Sequence, residues 1–86
     1  MKISEMQGIG KANESKLNQA GILTAEQLCQ LGAKAAFLKV KALVDEGACL
    51  HFLYDLDAAI LNIKSKDLPA KRKLELKKFL EQLDKK

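Results

Sequence analysis

Residues 49–63 constrain this chain more than any other segment. Cys49, Phe52, Leu53, Leu56, Ala59, Ile60 and Ile63 recur at helical spacing, and Leu50, Tyr54, Ala58 and Leu61 form a second stripe beside them. A helix that is apolar on two adjacent sides must be wrapped by its neighbours. The expectation is therefore a bundle with residues 49–63 at its centre. The full length is 86 residues, room for one small domain, expected to span residues 1–86. Composition agrees with helices. Fifteen Leu and eleven Ala stand against eight Val, Ile and Thr together, a balance that disfavours a β-sandwich or barrel.

Turn and cap signals divide the rest of the chain into short helices. The first six residues suggest a helical stub, broken at Gly8-Ile9-Gly10. Residues 11–20 read as a helix carrying Leu17 and Ala20 inward, with Gly21 as its stop. Thr24-Ala25-Glu26-Gln27 is a capping box, with Leu23 and Leu28 placed for a hydrophobic staple. The helix behind it ends at Gly32. Residues 33–44 follow with Phe37, Val40 and Val44 in one stripe, and Asp45-Glu46-Gly47 makes the next turn. After a polar linker at 64–67, Asp67, Leu68 and Pro69 mark the start of a last helix running to about residue 85. Leu76, Phe79, Leu80 and Leu83 face its core side, and Lys71, Lys78 and Lys85 point almost opposite. Arg72 falls near the apolar side, where its stem is expected to lie on the core and its head to reach water or a partner. Leu74 points away from the stripe and either packs on a neighbouring helix, the favoured expectation, or is exposed. Lys71/Glu75 and Glu81/Lys85 have the spacing of i,i+4 ion pairs.

Several function classes drop out. No run of 18 apolar residues is available to span a membrane, and the start has neither the apolar core nor the cleavage site of a signal peptide. Cys29 and Cys49 form no CxxC pair and His51 is the single histidine, so a four-ligand zinc site cannot be built from this chain alone. A cytoplasmic setting with reduced thiols is expected, and both cysteines are expected to pack as small hydrophobes. No catalytic set emerges. Asp55 and Asp57 are two apart and do not face each other on a helix, His51 lies beside the apolar stripe of its helix and, being two residues from Cys49, does not share a helix face with it, and Ser15 and Ser65 lack a base. The expectation is a protein without catalytic residues, cofactor or metal.

Charge is unevenly placed. Residues 62–86 hold nine basic and four acidic side chains, for +5, whereas residues 1–61 hold six and seven, for −1. A basic end on a neutral body suits an anionic partner, either nucleic acid or an acidic protein surface. Arg72 is the single arginine among fifteen cations. Contact with DNA would therefore be to the backbone, without sequence choice.

Met6-Gln7-Gly8-Ile9-Gly10, followed by a helix with Leu17 seven positions after the second Gly, resembles a helix-hairpin-helix motif. Glycines there let backbone approach a phosphate, and the amides opening the next helix carry partial positive charge. Gly8, Ile9, Gly10, Lys11 and Lys16 are the candidate DNA-backbone contacts. Glu14 stands where that motif usually has a small residue. The pattern extends through Leu17, Ala20-Gly21-Ile22, Thr24, Gln27-Leu28, Leu31-Gly32, Ala35-Ala36-Phe37, Lys39, Leu50, Leu53-Tyr54, Leu56, Ala59-Ile60, Leu68-Pro69, Lys71-Arg72-Lys73 and Glu75-Leu76. In this order it resembles the C-terminal domain of the TfoX/Sxy family of competence regulators. The resemblance implies an all-α, compact five-helix, SAM-domain-like bundle and a role in regulating DNA transformation. Relatives often carry a domain ahead of this one, so the chain is expected to be a stand-alone relative or a fragment. The function expected is binding. A protein partner, with the transcription machinery first to be tested, ranks ahead of weak sequence-independent DNA contact. Lys71, Lys78 and Lys85 form the candidate basic interaction face.

Overall fold

The first helix, α1 (Lys11–Gln19), is N-capped by Gly10 and closed by a Schellman turn. The Ile22 amide donates to the Leu17 carbonyl at 2.9 Å and the Gly21 amide to Asn18 at 3.0 Å. Leu17 and Ile22, which bracket that turn, are both fully buried. The capping box then starts α2 (Ala25–Leu31). The Gln27 amide donates to Thr24 Oγ1 at 3.1 Å, and Gln27 Oε1 accepts from the amides of Thr24 and Leu23. Leu28 is buried but Leu23 is 59% exposed, so the expected staple does not close. Gly32 joins α2 directly to α3 (Ala33–Leu43), being the C-cap of one and the N-cap of the other. Its φ of +85° and ψ of 161° lie in a region open essentially to glycine alone.

Helix α4 (Leu50–Leu61) ends at Asn62, which adopts a left-handed φ of 61°. A 3-10 turn at Ser65–Asp67 and a buried Leu68 lead into α5 (Ala70–Asp84). A further 3-10 turn at Ile3–Glu5 precedes α1 within the expected stub, whose first two residues lie outside the described residues. The computed structural model describes residues 3–6 and 8–84. These form an all-α architecture of five helices with no strand among the described residues, an order with which a SAM-domain-like arrangement is compatible.

One continuous apolar core holds the elements together. Phe37, Val40, Leu53, Leu56 and Leu76 are fully buried in it, with Ile3, Leu17, Ile22 and Leu28 beside them. The Phe37 and Phe52 rings meet at 6.2 Å and a tilt of 40°, a favourable aromatic geometry. The Cα radius of gyration is 11.9 Å, and about 12 Å is expected of a well-packed chain of this length. Helix α4 packs against α3, α5 and the second 3-10 turn, as its two-sided pattern requires. Helix α3 shares the central place, since it also touches α1 and α2.

Four expectations about individual side chains are corrected. Cys49 is exposed because it is the N-cap of α4, in extended conformation and outside the helical stripe. Cys29 is also exposed, at the rim of the buried side of α2, where it lines an open depression with Ala25, Met6 and Ala59 instead of closing into the core. Leu61, the last residue of α4, is 48% exposed. Leu74 is 52% exposed, so the favoured packing on a neighbour gives way to the exposed alternative; it lies almost opposite the buried Leu76 on α5.

Candidate functional site

Two surfaces predicted from sequence can be placed. The first is the glycine turn ahead of α1. Met6 and Ile9 are buried and anchor it, while Gly8 and Gly10 are exposed. The Met6 amide donates to Ile3 at 2.9 Å and the Ile9 amide to Met6 at 3.3 Å. Gly8 has φ +83°, which favours glycine over any L side chain. Gly10 differs: its φ of −88° is ordinary, and a Cβ placed there meets nothing within 4 Å. The free fold therefore does not require glycine at position 10. The helical arm before the turn is a single 3-10 turn among the described residues.

Lys11 is exposed beside the turn. Lys16 is directed elsewhere: its Nζ lies 3.1 Å from Asp45 Oδ2 and 5.6 Å from the centre of the Phe52 ring. Asp45 also accepts the Gly47 amide through Oδ1 at 3.0 Å, closing the α3–α4 turn. The Lys16 contact is the chief reason the Asp45 carboxyl is held below its usual range, and the Gly47 amide adds to it. Lys16 thus ties α1 to that turn and shares its charge with Asp45.

The second surface is the outer side of α5. Lys71 and Lys78 are exposed there as predicted, and Lys85 lies outside the described residues, as does the partner in the Glu81/Lys85 pair. The expected Lys71/Glu75 pair gives way to another: Glu75 Oε2 lies 3.1 Å from an Arg72 terminal nitrogen. Arg72 also donates to Asp57 as a fork, Nε to Oδ2 at 3.1 Å and NH2 to Oδ1 at 2.6 Å. Asp57 is 4% exposed, while the Arg72 side chain is 38% exposed. Hydrogen bonding to Asp57 raises the Arg72 pKa above an already high value. The pair fastens α5 to α4, and Arg72 acts as a structural cation.

Asp57 was not legible as a site because its partner is 15 residues away across the linker. The signal that could have found it was the apolar surround of Asp57 on α4 together with Arg72 on the core side of α5. Lys34 is another cation with a structural contact, its Nζ 5.4 Å from the centre of the Phe79 ring.

An open groove of about 530 Å³ runs between the α2–α3 junction and the end of α4, lined by Leu31, Ala33, Ile60 and Leu61 with the Asp57–Arg72 pair on one side. Both oxygens of Asp57 are already engaged. His51 is exposed, with Nε2 3.5 Å from Asp55 Oδ2. No group of three or more His, Cys, Asp and Glu that could hold a metal occurs among the described residues. None of the described helices is long and apolar enough to cross a membrane.

The order of elements and the motif residues now have a match among known proteins. The sequence profile of the TfoX C-terminal domain matches residues 1–80. The chain belongs to the TfoX C-terminal domain family. It is also similar to the crystal structure, in a triclinic form, of an uncharacterised protein from Listeria monocytogenes. The identity is 38%, the TM-score 0.94, and the match covers 99% of this chain and 96% of the other. A tetragonal crystal form of a Listeria monocytogenes protein of unknown function is similar as well. Its identity is 39% and its TM-score 0.91, with 95% of this chain and 99% of that one covered. No curated protein matches the chain. Membership of the TfoX C-terminal domain family suggests a regulatory role related to competence.

Proposed function

We propose that this TfoX C-terminal domain is a non-catalytic regulatory module in DNA transformation and works by docking to another protein. The observation that carries the reading is the division of charge. Of the two lysines expected to support the glycine turn, Lys11 is exposed beside it but Lys16 is bound to Asp45, whereas Lys71 and Lys78 both stand exposed on α5. The basic surplus is thus presented by a helix fastened to the core at Asp57–Arg72, a geometry suited to an acidic protein surface. The expected setting is the cytoplasm, and the transcription machinery is the first partner to test. Deleting the gene should lower transformation frequency, and restoring the wild-type chain should recover it. Transformation unchanged by the deletion would refute the regulatory role.

A second reading, contact with the DNA backbone through Gly8, Ile9, Gly10 and Lys11, is favoured by one observation. Glycine at position 10 is required by neither its backbone angles nor its surroundings, as if the open space served a partner. With two to four phosphates neutralised, binding should weaken with salt at a log–log slope of about −2 to −4. Titration of a labelled 20-base-pair duplex at two salt concentrations tests it. Absence of binding at low salt, or binding unchanged by Gly10→Glu, would exclude this reading.

A further inference from the structure

Leu74 is the least expected surface residue of α5. It is 52% exposed, and its neighbours one turn away on either side are Lys71 at i−3, Lys77 at i+3 and Lys78 at i+4. All three lysines are exposed. Residues at these spacings are adjacent on a helix surface. The outer side of α5 thus carries one apolar knob within a ring of ammonium groups. The patch spans two turns, about 10 Å along the helix axis. Glu75 does not interrupt it electrostatically, since Arg72 pairs with that carboxylate. Glu81 lies one turn beyond Lys77 and Lys78 and marks the lower boundary.

We infer that this face of α5 docks an acidic amphipathic helix of a partner protein. An apolar side chain of the partner covers Leu74, and flanking carboxylates meet Lys71, Lys77 and Lys78. The inference rests on the reading of the chain as a protein-docking module and names its surface and the chemistry of its partner. Two features select this occupant. The charge of the ring calls for an anionic surface. Leu74 at its centre distinguishes a protein from a phosphate backbone, because a phosphate gains nothing from an apolar neighbour while a leucine or phenylalanine gains the burial of both side chains. Contact made with lysines alone would be screened by salt, whereas an apolar centre keeps part of the affinity when salt is raised.

The test is an amide NMR titration of the full chain with a synthetic helical peptide bearing Glu on two flanks and Leu along one face. A control peptide of equal charge has Ser in place of Leu. The Leu peptide should shift amides of α5 around residues 71–78, and Leu74→Ser should weaken it about five- to tenfold. Leu74→Met should retain binding. Lys77→Glu with Lys78→Glu should abolish it. Because Leu74 is outside the core, each variant should keep the wild-type spectrum elsewhere.

Several results would overturn the inference: no shifts with the Leu peptide, equal binding of the Ser peptide, or binding indifferent to Leu74→Ser. A 20-base-pair duplex shifting the same α5 amides, equally in wild type and Leu74→Ser, would assign the face to nucleic acid. Concentration-dependent shifts there without peptide would assign it to a second copy of the chain. Complementation separates this inference from the regulatory role. If the deletion lowers transformation but the Leu74→Ser chain restores it fully, the role stands and this surface is wrong. If the deletion has no effect, the role itself fails.

Discussion

Replacing Arg72 by Met isolates the buried half of the pair between α4 and α5. The substitution keeps the stem that lies on the core and removes the guanidinium. Asp57 then loses donors at 3.1 and 2.6 Å while its carboxylate stays almost wholly buried. Breaking a fully buried pair in this way costs about 3–5 kcal/mol. Here the Arg72 side chain is 38% exposed and borders an open groove, so water can enter the vacated space. The cost is therefore discounted to about 2–3 kcal/mol. A chain of this length has a total stability of about 4–13 kcal/mol, so the loss is a large fraction. Urea denaturation followed by circular dichroism measures it directly, and the melting temperature should fall by about 10–20 °C. Adding Asp57→Leu, which keeps the branched outline of Asp without its charge, should return stability to within about 1 kcal/mol of wild type. A loss below about 1 kcal/mol for Arg72→Met, or a double variant as unstable as the single one, would refute the claim that the buried carboxylate needs its partner.

Three other outcomes follow from the local geometry. Gly32→Ala should destabilise by about 1–3 kcal/mol, whereas Gly10→Ser should be neutral or slightly stabilising as a better N-cap; thermal melts compare the two. Thr24→Ala should cost about 1 kcal/mol, read by urea denaturation, because it removes the hydroxyl that caps Gln27. Asp45 has a folded pKa below its ordinary 3.8, so its contribution is present above that value and is lost as pH falls through the lower folded pKa. Asp45→Asn should flatten the fall of melting temperature on acidification below about pH 4 and leave Lys16 without its partner.

Periodicity and caps made the helices legible because they are local properties. The Thr24–Gln27 box and the glycine stops lie within a few residues of what they control, and the apolar stripes of α4 and α5 repeat at one spacing. What failed depended on how helices meet. Cys49 fits the α4 stripe by register yet precedes the helix, and Leu61 fits the second stripe yet lies at an end no neighbour covers. Lys16 looked available for phosphate until the fold brought Asp45 to it from 29 residues away. Arg72 was placed near the apolar side of its helix and Asp57 was read only against Asp55, and the return of the chain through the second 3-10 turn brings the two together. On α5 the position of Leu74 was read from the wheel, while its exposure depended on whether a further helix covered it.

The central claim is that the outer side of α5, and not the glycine turn, is the working surface in competence. Its most direct test is the transformation frequency of a deletion strain carrying either the Lys71→Glu/Lys78→Glu chain or the Gly10→Glu chain, each checked for wild-type folding. The account predicts that the lysine variant fails to restore transformation and that Gly10→Glu restores it; restoration by the lysine variant with loss in Gly10→Glu would contradict it.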